Sequence, residues 1–409
     1  MSNGSSGLET LAVRCCIVGG GPAGMMLGLL LARAGVDVIV LERHADFFRD
    51  FRGDTIHPST LEVVHELGLL ADFLTRPHQE LRLLRGWVGD EMIPVADFSH
   101  LPTHCKFIAL MPQWDFLDFL TQHARKYPNF RLRMQAEVID LIEEGERVVG
   151  VRVHTPAGAL EVRADLIIGA DGRHSTVREK AGLQTLDLGA PMDVLWMRLS
   201  QRPGDPKESM GRFDPGHVFV MIDRGDYWQC AFVIPKGGFD EVKRRGFDAF
   251  REEVARVAPF LRDRVSEIAD WDHVKLLTVA VNRVREWCRP GLLCIGDAAH
   301  AMSPIGGIGI NLAIQDAVAA GNILGERLQR GPVGVDQLRA VQRRRERPTR
   351  ITQRAQVIIQ NRIIGRVLTT QARSFSLPLP LRLLRAWPFL RRIPARLIGM
   401  GVQPEHVKV

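Results

Sequence analysis

Two glycine-rich stretches in this chain have the residue types that let a ligand lie against bare backbone, and the first has the spacing that holds phosphate groups. The first lies in "VRCCIVGGGPAGMMLGLLLARAGVDVIVLER", which reads as strand, glycine turn, helix, strand, with Gly19, Gly21 and Gly24 spaced as G-x-G-x-x-G. In that spacing the first glycine permits a tight turn, the second lets the backbone approach a pyrophosphate, and the third lets helix and strand pack closely. The helix N-terminus adds free N–H groups and positive dipole. Glu42 ends the second strand, where a carboxylate can accept a ribose 2′-OH. The glycine spacing alone is weak evidence. With both strands, the helix and the acid, it points to a dinucleotide without saying which.

The second stretch, "GDAAHAMSPIGGIGIN" (296–311), follows the apolar run Leu292 to Ile295 and leads into the helical pattern "LAIQDAVAAGNILGERL". It is either a loose connection or backbone kept bare for a ligand. A third segment, "ADLIIGADGRHSTVREKAGL" (164–183), is a buried strand ending in an Asp-Gly turn before a helical run.

Taken in order, G-x-G-x-x-G with its acid, then D-G-x-x-S-x-V-R, then G-D-A-A-H-x-x-x-P-x-x-G-x-G-x-N resemble the single-component flavoprotein aromatic hydroxylases. That group includes the para-hydroxybenzoate, ubiquinone-biosynthesis and tetracycline-inactivating enzymes. The resemblance runs over roughly residues 11 to 330. It implies an α/β fold: a Rossmann-like FAD-binding domain, a mostly antiparallel β-sheet substrate domain and a C-terminal helical tail.

Carried over residue by residue, Gly19, Gly21, Gly24 and Glu42, with Arg43 beside it, would hold the ADP half of FAD. Asp171 and Gly172 would lie near the pyrophosphate and support NAD(P)H engagement. Gly296 opens the third loop, and Asp297 would bond the ribityl chain. Pro304, Gly306, Gly307, Gly309, Ile310 and Asn311 would line the isoalloxazine. Arg52, in "FRGDTIHPST", matches a family arginine near the flavin, and Gln113 matches a glutamine on a helix contacting FAD. A solvated arginine and a helix-end amide are the plain alternatives for those two. His300 belongs to the motif as a structural residue. His57, before Pro58, reads as a turn residue with a catalytic role as the alternative.

The implied chemistry is hydroxylation of an aromatic or quinol-type substrate with NAD(P)H and O2, through a flavin C4a-hydroperoxide. The cofactor supplies the reactivity, and the protein supplies orientation, electrostatics and exclusion of water. A helix starting near Gly309–Asn311 would aim N–H donors at the negative charge of the reduced ring. Tyr127 and Tyr227 are the chain's two tyrosines. Tyr227 begins a strand and could face the cavity, whereas Tyr127 reads as part of a surface turn. Scarce tyrosine and abundant Leu, Met and Trp suggest a hydrophobic substrate. A halogenase, a prenyl-chain or alkene reductase of the same fold, and a non-catalytic flavin-binding redox protein are the alternatives.

These residues need positioning elements. The FAD domain is expected to be discontinuous, over 11–80, 106–185 and 285–335. Residues 186–284 are rich in β patterns, joined by the turn-like "DRGD", and 81–105 adds strands; together they form the expected substrate domain. "FDAFREEVARVAPFLRDRVSEI" reads as one amphipathic helix. Residues 336–409 form a basic extension in which Pro348 is expected to kink or break a helix.

Composition narrows the rest. A chain of 409 residues, 45% hydrophobic and 25% charged, has material for two packed domains. No continuous apolar run approaches the ~18 residues that cross a bilayer. "MMLGLLLARAG" follows the glycine turn and reads as a buried helix rather than a signal peptide. Cys15, Cys16, Cys105, Cys230, Cys288 and Cys294 show no C-x-x-C spacing, which argues against a zinc site and suits a reducing cytoplasm. The net charge is +7, yet residues from 331 onward carry 15 Arg and 1 Lys against 2 Glu and 1 Asp. The basic character therefore belongs to the tail. Its short apolar pieces with interspersed arginines could dock on the protein itself or lie on an anionic membrane. A second copy of the chain is the other macromolecular partner considered. No recognition module for nucleic acid is present.

Overall fold

The computed structural model describes residues 9–48, 55–89, 91–206, 208–369 and 379–409. Its larger sheet is built on the strand Glu9–Val18, which pairs in parallel with Gly158–Gly169 on one side and Val38–Leu41 on the other. Phe130–Arg133 extends it beyond Val38–Leu41, and Leu292–Cys294 beyond Gly158–Gly169, again in parallel. Buried runs such as Val38–Leu41 and Leu292–Cys294 are apolar at nearly every position, because helices cover both faces of a parallel sheet.

The helix Pro22–Arg33 packs against Gly309–Arg330 and Gln113–Ala124. It lies so close to the sheet that a β-carbon at Gly28 would stand 2.9 Å from Phe130 and Val40 side-chain atoms. Gly309–Arg330 belongs to a stretch, Ile305–Arg330, long and apolar enough to cross a membrane by length and composition. Most of its residues are buried in this core.

A second sheet of seven strands runs in the order Lys275–Leu277, Met192–Ser200, Tyr227–Pro235, His217–Asp223, Met210–Asp214, Leu83–Val88, Glu91–Asp97. All its pairs are antiparallel except Met210–Asp214 with Leu83–Val88. Strand periodicity divides its faces. Leu195, Met197, Phe219, Trp228 and Phe232 pack with Phe250 and Val254 of the helix Phe247–Val257. The alternate residues Val194, Val218, Ala231 and Val233 cluster with Ile305, Ile364 and Val367. Helix Phe247–Val257 stops earlier than its sequence pattern suggests. Pro259 opens a run of tighter turns, Pro259–Glu267, instead of a continuing helix.

Pro348 does not break the extension's helix as one alternative held, since one helix runs through it from Val335 to Ile359. Buried Arg345, Thr349, Gln353 and Gln356 flank the proline and fix both halves to the core. The helix then widens into an i→i+5 turn at Gln360–Ile364 and ends as Gly365–Thr369. The last residues return to the core. Glu66 accepts the Val407 N–H at 2.7 Å, and Asn322 donates to the His406 carbonyl at 2.7 Å.

Candidate cofactor and active site

All three sequence motifs end at the same edge of the parallel sheet, at the carboxyl ends of Glu9–Val18, Gly158–Gly169 and Leu292–Cys294. Gly19 has φ +106°, and a β-carbon there would lie 2.4 Å from the Ala170 carbonyl oxygen, so the first two loops touch. Gly24 sits on the same turn, where a β-carbon would fall 2.0 Å from the Gly19 oxygen. Gly296 joins the third loop to the others: its β-carbon would meet Ala23 at 3.2 Å and Ala313 at 3.3 Å. This is the crevice where doubly wound sheets take ligands.

Gly21 and Gly309 behave differently. Among the described residues a β-carbon on either meets no neighbouring atom within 4 Å, and each stands at a helix N-terminus, of Pro22–Arg33 and of Gly309–Arg330. Backbone kept bare toward open space, with N–H groups pointing out, suits an anionic ligand that comes into contact. These two positions are the structural fit for a dinucleotide carrying a pyrophosphate and an anionic ring.

The polar residues singled out by sequence take several positions. Glu42 is buried, its carboxylate accepting the Gly20 N–H at 2.9 Å and the His44 N–H at 3.0 Å. These two bonds brace the glycine turn. Arg43 is exposed, with Nε 3.0 Å from a His44 ring nitrogen. Gln113 is half-buried at the first turn of its helix. Asp171 faces its own turn: it accepts the Ser175 hydroxyl at 2.5 Å and the Val177 N–H at 3.1 Å. Burial pushes its carboxyl up, outweighing those two hydrogen bonds. Gly172, at φ +86°, faces open space. Asp297 remains half-exposed at the mouth, 3.8 Å from Arg173. Arg52 lies outside the described residues.

The loop from Pro304 to Asn311 is held from below. Gly307 has φ +63°, and Thr55 donates to its carbonyl at 2.9 Å. Gly306, at φ +76°, lets the loop turn before the helix begins at Gly309. Ile310 is buried in the core. The Asn311 side chain turns inward, accepting from the His57 N–H at 3.0 Å and the Thr60 hydroxyl at 2.7 Å. His57 is fully buried, and its Nδ1 lies 2.7 Å from the Ile398 carbonyl. Desolvation lowers its pKa to about 4. Tyr227 begins its strand half-buried, with the Arg198 guanidinium 4.7 Å from its ring centre.

Sequence reasoning missed the residues that carry this loop. Gln356 accepts the Ser303 N–H at 3.2 Å and donates to the Ser303 and Ile305 carbonyls at 3.1 and 3.0 Å. Gln360 donates to the Ser303 hydroxyl at 2.7 Å, and Gln353 to the Asn282 carbonyl at 2.7 Å. Beneath them is a buried charge chain. Asp316 meets His300 at 2.6 Å and Arg345 at 3.0 Å, and Arg345 reaches Glu405 at 3.3 Å. Burial would raise the Asp316 carboxyl, but His300, Arg345 and the Gly296 N–H hold it below the ordinary range. A lone acid on the apolar helix "NLAIQDAVAA" is the one signal that could have flagged it.

A crevice made by three loops, with an antiparallel sheet packed on the third through Ile305, is an architecture that flavoprotein monooxygenases share. The comparisons agree. The FAD binding domain family matches residues 12–355. The chain is 36% identical over 358 residues to 6-methylpretetramide 4-monooxygenase of Streptomyces rimosus, covering 86% of this chain and 85% of that one. Among solved structures, p-nitrophenol 4-monooxygenase PnpA from Pseudomonas putida DLL-E4 superposes with a TM-score of 0.78 at 22% identity, over 97% of this chain and 100% of that one. OxyS anhydrotetracycline hydroxylase from Streptomyces rimosus gives 0.73 at 25% identity, over 96% and 77%. The chain belongs to the FAD binding domain family. It is an FAD-dependent monooxygenase.

Proposed function

We propose that this monooxygenase hydroxylates a hydrophobic, fused-ring phenol of the polyketide type, with NAD(P)H as electron source and O2 as oxygen source. The observation that carries this is the apolar wall over the third loop. Trp196, Phe213 and Val220 lie half-buried on the sheet face shared with Ala231 and Ile305. A broad apolar wall favours a flat hydrocarbon framework, and a dry pocket protects the reactive oxygen species from water. Two relatives at 36% and 31% identity are named for 6-methylpretetramide and for 12-dehydrotetracycline and anhydrotetracycline, which supports the same substrate class.

FAD, when bound, supplies the oxygen-transfer chemistry. Gly19, Gly21, Gly24 and Glu42 would hold its adenosine and pyrophosphate half, and Asp297 its sugar chain. Pro304 would stiffen the wall beside the ring. The N-terminus at Gly309 would place N–H donors where negative charge collects. Segments 11–80, 106–185 and 285–335 form the cofactor side, and 81–105 with 186–284 the substrate side. The Gln353, Gln356 and Gln360 ladder keeps the loop in one shape. Aerobic NAD(P)H oxidation with fused-ring and single-ring phenols tests the reading. Fused rings should be preferred by ~10-fold or more in kcat/KM. Equal or better turnover of single-ring phenols overturns it.

A further inference from the structure

The terminal helix Arg392–Gly399 is apolar on two sides. Its inner side is fully docked: Ala395 is buried, and a β-carbon at Gly399 would lie 2.7 Å from Leu101 and 3.3 Å from Phe98. Ile398 and Met400 pack on that same cluster. The outer side carries Ile393 and Leu397, 60% and 52% exposed, and the tight turn Pro388–Arg391 that leads into the helix adds Phe389 at 62%, four residues before Ile393, with Trp387 at 52% just before that turn. Leu379, at the start of the preceding helix Leu379–Ala386, is 64% exposed. A surface helix needs one apolar stripe to dock, and the second has no use in the folded chain.

Charge says what the stripe meets. Arg382, Arg385, Arg391, Arg392 and Arg396 are interspersed with it, and no acidic residue lies between Leu379 and Pro404. Arg385 pairs with Glu91, and Arg391 binds the Leu384 and Arg385 carbonyls. Among the described residues the side chains of exposed Arg382 and Arg396 make no hydrogen bond or ion pair, and neither is engaged elsewhere. Large apolar side chains flanked by unpaired arginines complement an anionic lipid surface, tails below and headgroups around. A two-fold contact with a second copy would instead set five arginines against five.

We propose that residues 379–397 form an interfacial anchor that lays the protein on anionic bilayers through Phe389, Ile393, Leu397 and Trp387. This does not rest on the substrate assignment.

The test uses the full-length FAD-loaded protein and sedimentation with phosphatidylcholine vesicles, with and without phosphatidylglycerol. The protein should pellet ~10-fold more with phosphatidylglycerol present, and added salt should weaken binding. The triple variant Phe389→Ser, Ile393→Ser, Leu397→Ser should stay in the supernatant while keeping its flavin absorbance and NAD(P)H oxidation. A second variant, Arg382→Gln with Arg396→Gln, should bind less and lose much of the salt dependence; it decides the matter if the first does not fold. Wild-type protein that ignores phosphatidylglycerol, or variants that pellet like wild type, overturn the proposal. So does self-association, in the absence of vesicles, that the triple variant abolishes, because the stripe is then an interface between copies.

Discussion

Asp316 and Gly296 are joined by a hydrogen bond of 3.1 Å from the Gly296 N–H to a carboxylate oxygen, and His300 meets that same oxygen at 2.6 Å. A carboxylate only accepts, so His300 presents Nε2–H. The other oxygen takes Arg345 Nε at 3.0 Å. Asp316 thus fixes the loop that carries Asp297 to a charge chain ending at Glu405. Removing one member of a buried ion pair strands the other. Asp316→Asn should therefore cost about 3 kcal/mol in urea unfolding and weaken FAD binding. A change within ~0.5 kcal/mol would show that the chain is not structural.

Two glycines five residues or fewer apart in one motif should fail in opposite ways. Gly24→Ala places a β-carbon 2.0 Å from a backbone oxygen, so the apoprotein itself should be destabilised. Gly21→Ala meets none of the described residues, so apoprotein stability should hold while FAD affinity falls ~10-fold or more. Thermal melts of the apo forms and FAD titration separate the two. Unchanged FAD affinity in Gly21→Ala contradicts the placement of the pyrophosphate.

Gln356 makes three hydrogen bonds to the backbone at Ser303 and Ile305. Gln356→Ala should loosen the wall beside Pro304 and admit water. The expected result is NAD(P)H oxidation at near-normal rate with more hydrogen peroxide and less hydroxylated product. Unchanged coupling would place the ladder outside the reaction.

His57 is held neutral, with its pKa lowered from 6.5 to about 4 by burial. Its Nε2 has no hydrogen-bond partner among the described residues, so a proton there would add an unsatisfied charge. A depressed pKa contributes stability that is present above pH 6.5 and lost as pH falls toward 4. Between pH 7 and pH 5 the loss from this group is ~2 kcal/mol. A His57→Gln variant should show a shallower decline in denaturation experiments across that range. The same slope in both proteins contradicts the assignment.

The cofactor half of the fold was legible because close approach of backbone to a cofactor constrains short contiguous stretches. Gly19, Gly21, Gly24 and the run from Gly296 to Asn311 carry their reasons in their own spacing. Gln356, Arg345 and Glu405 do not, since their partners lie dozens of residues away and only the tertiary fold brings them together. Pro348 misled for a related reason. Local propensity argues for a break, but buried side chains on both sides of the proline keep one helix continuous. Asp171 was placed by resemblance, and its hydrogen bonds show a carboxylate that organises its own turn. Tyr227 was readable as a strand start, but the Arg198 guanidinium over its ring was not. The second apolar stripe, from Trp387 to Leu397, became visible only when docking had accounted for the first.

The central claim is that this flavoprotein inserts one oxygen atom from O2 into a fused aromatic ring. Isotopically heavy dioxygen supplied with NAD(P)H and a fused-ring phenol tests it most directly. The account predicts a product heavier by one labelled oxygen, formed in step with NAD(P)H consumption. A product without label, or turnover that proceeds equally without oxygen, would contradict it.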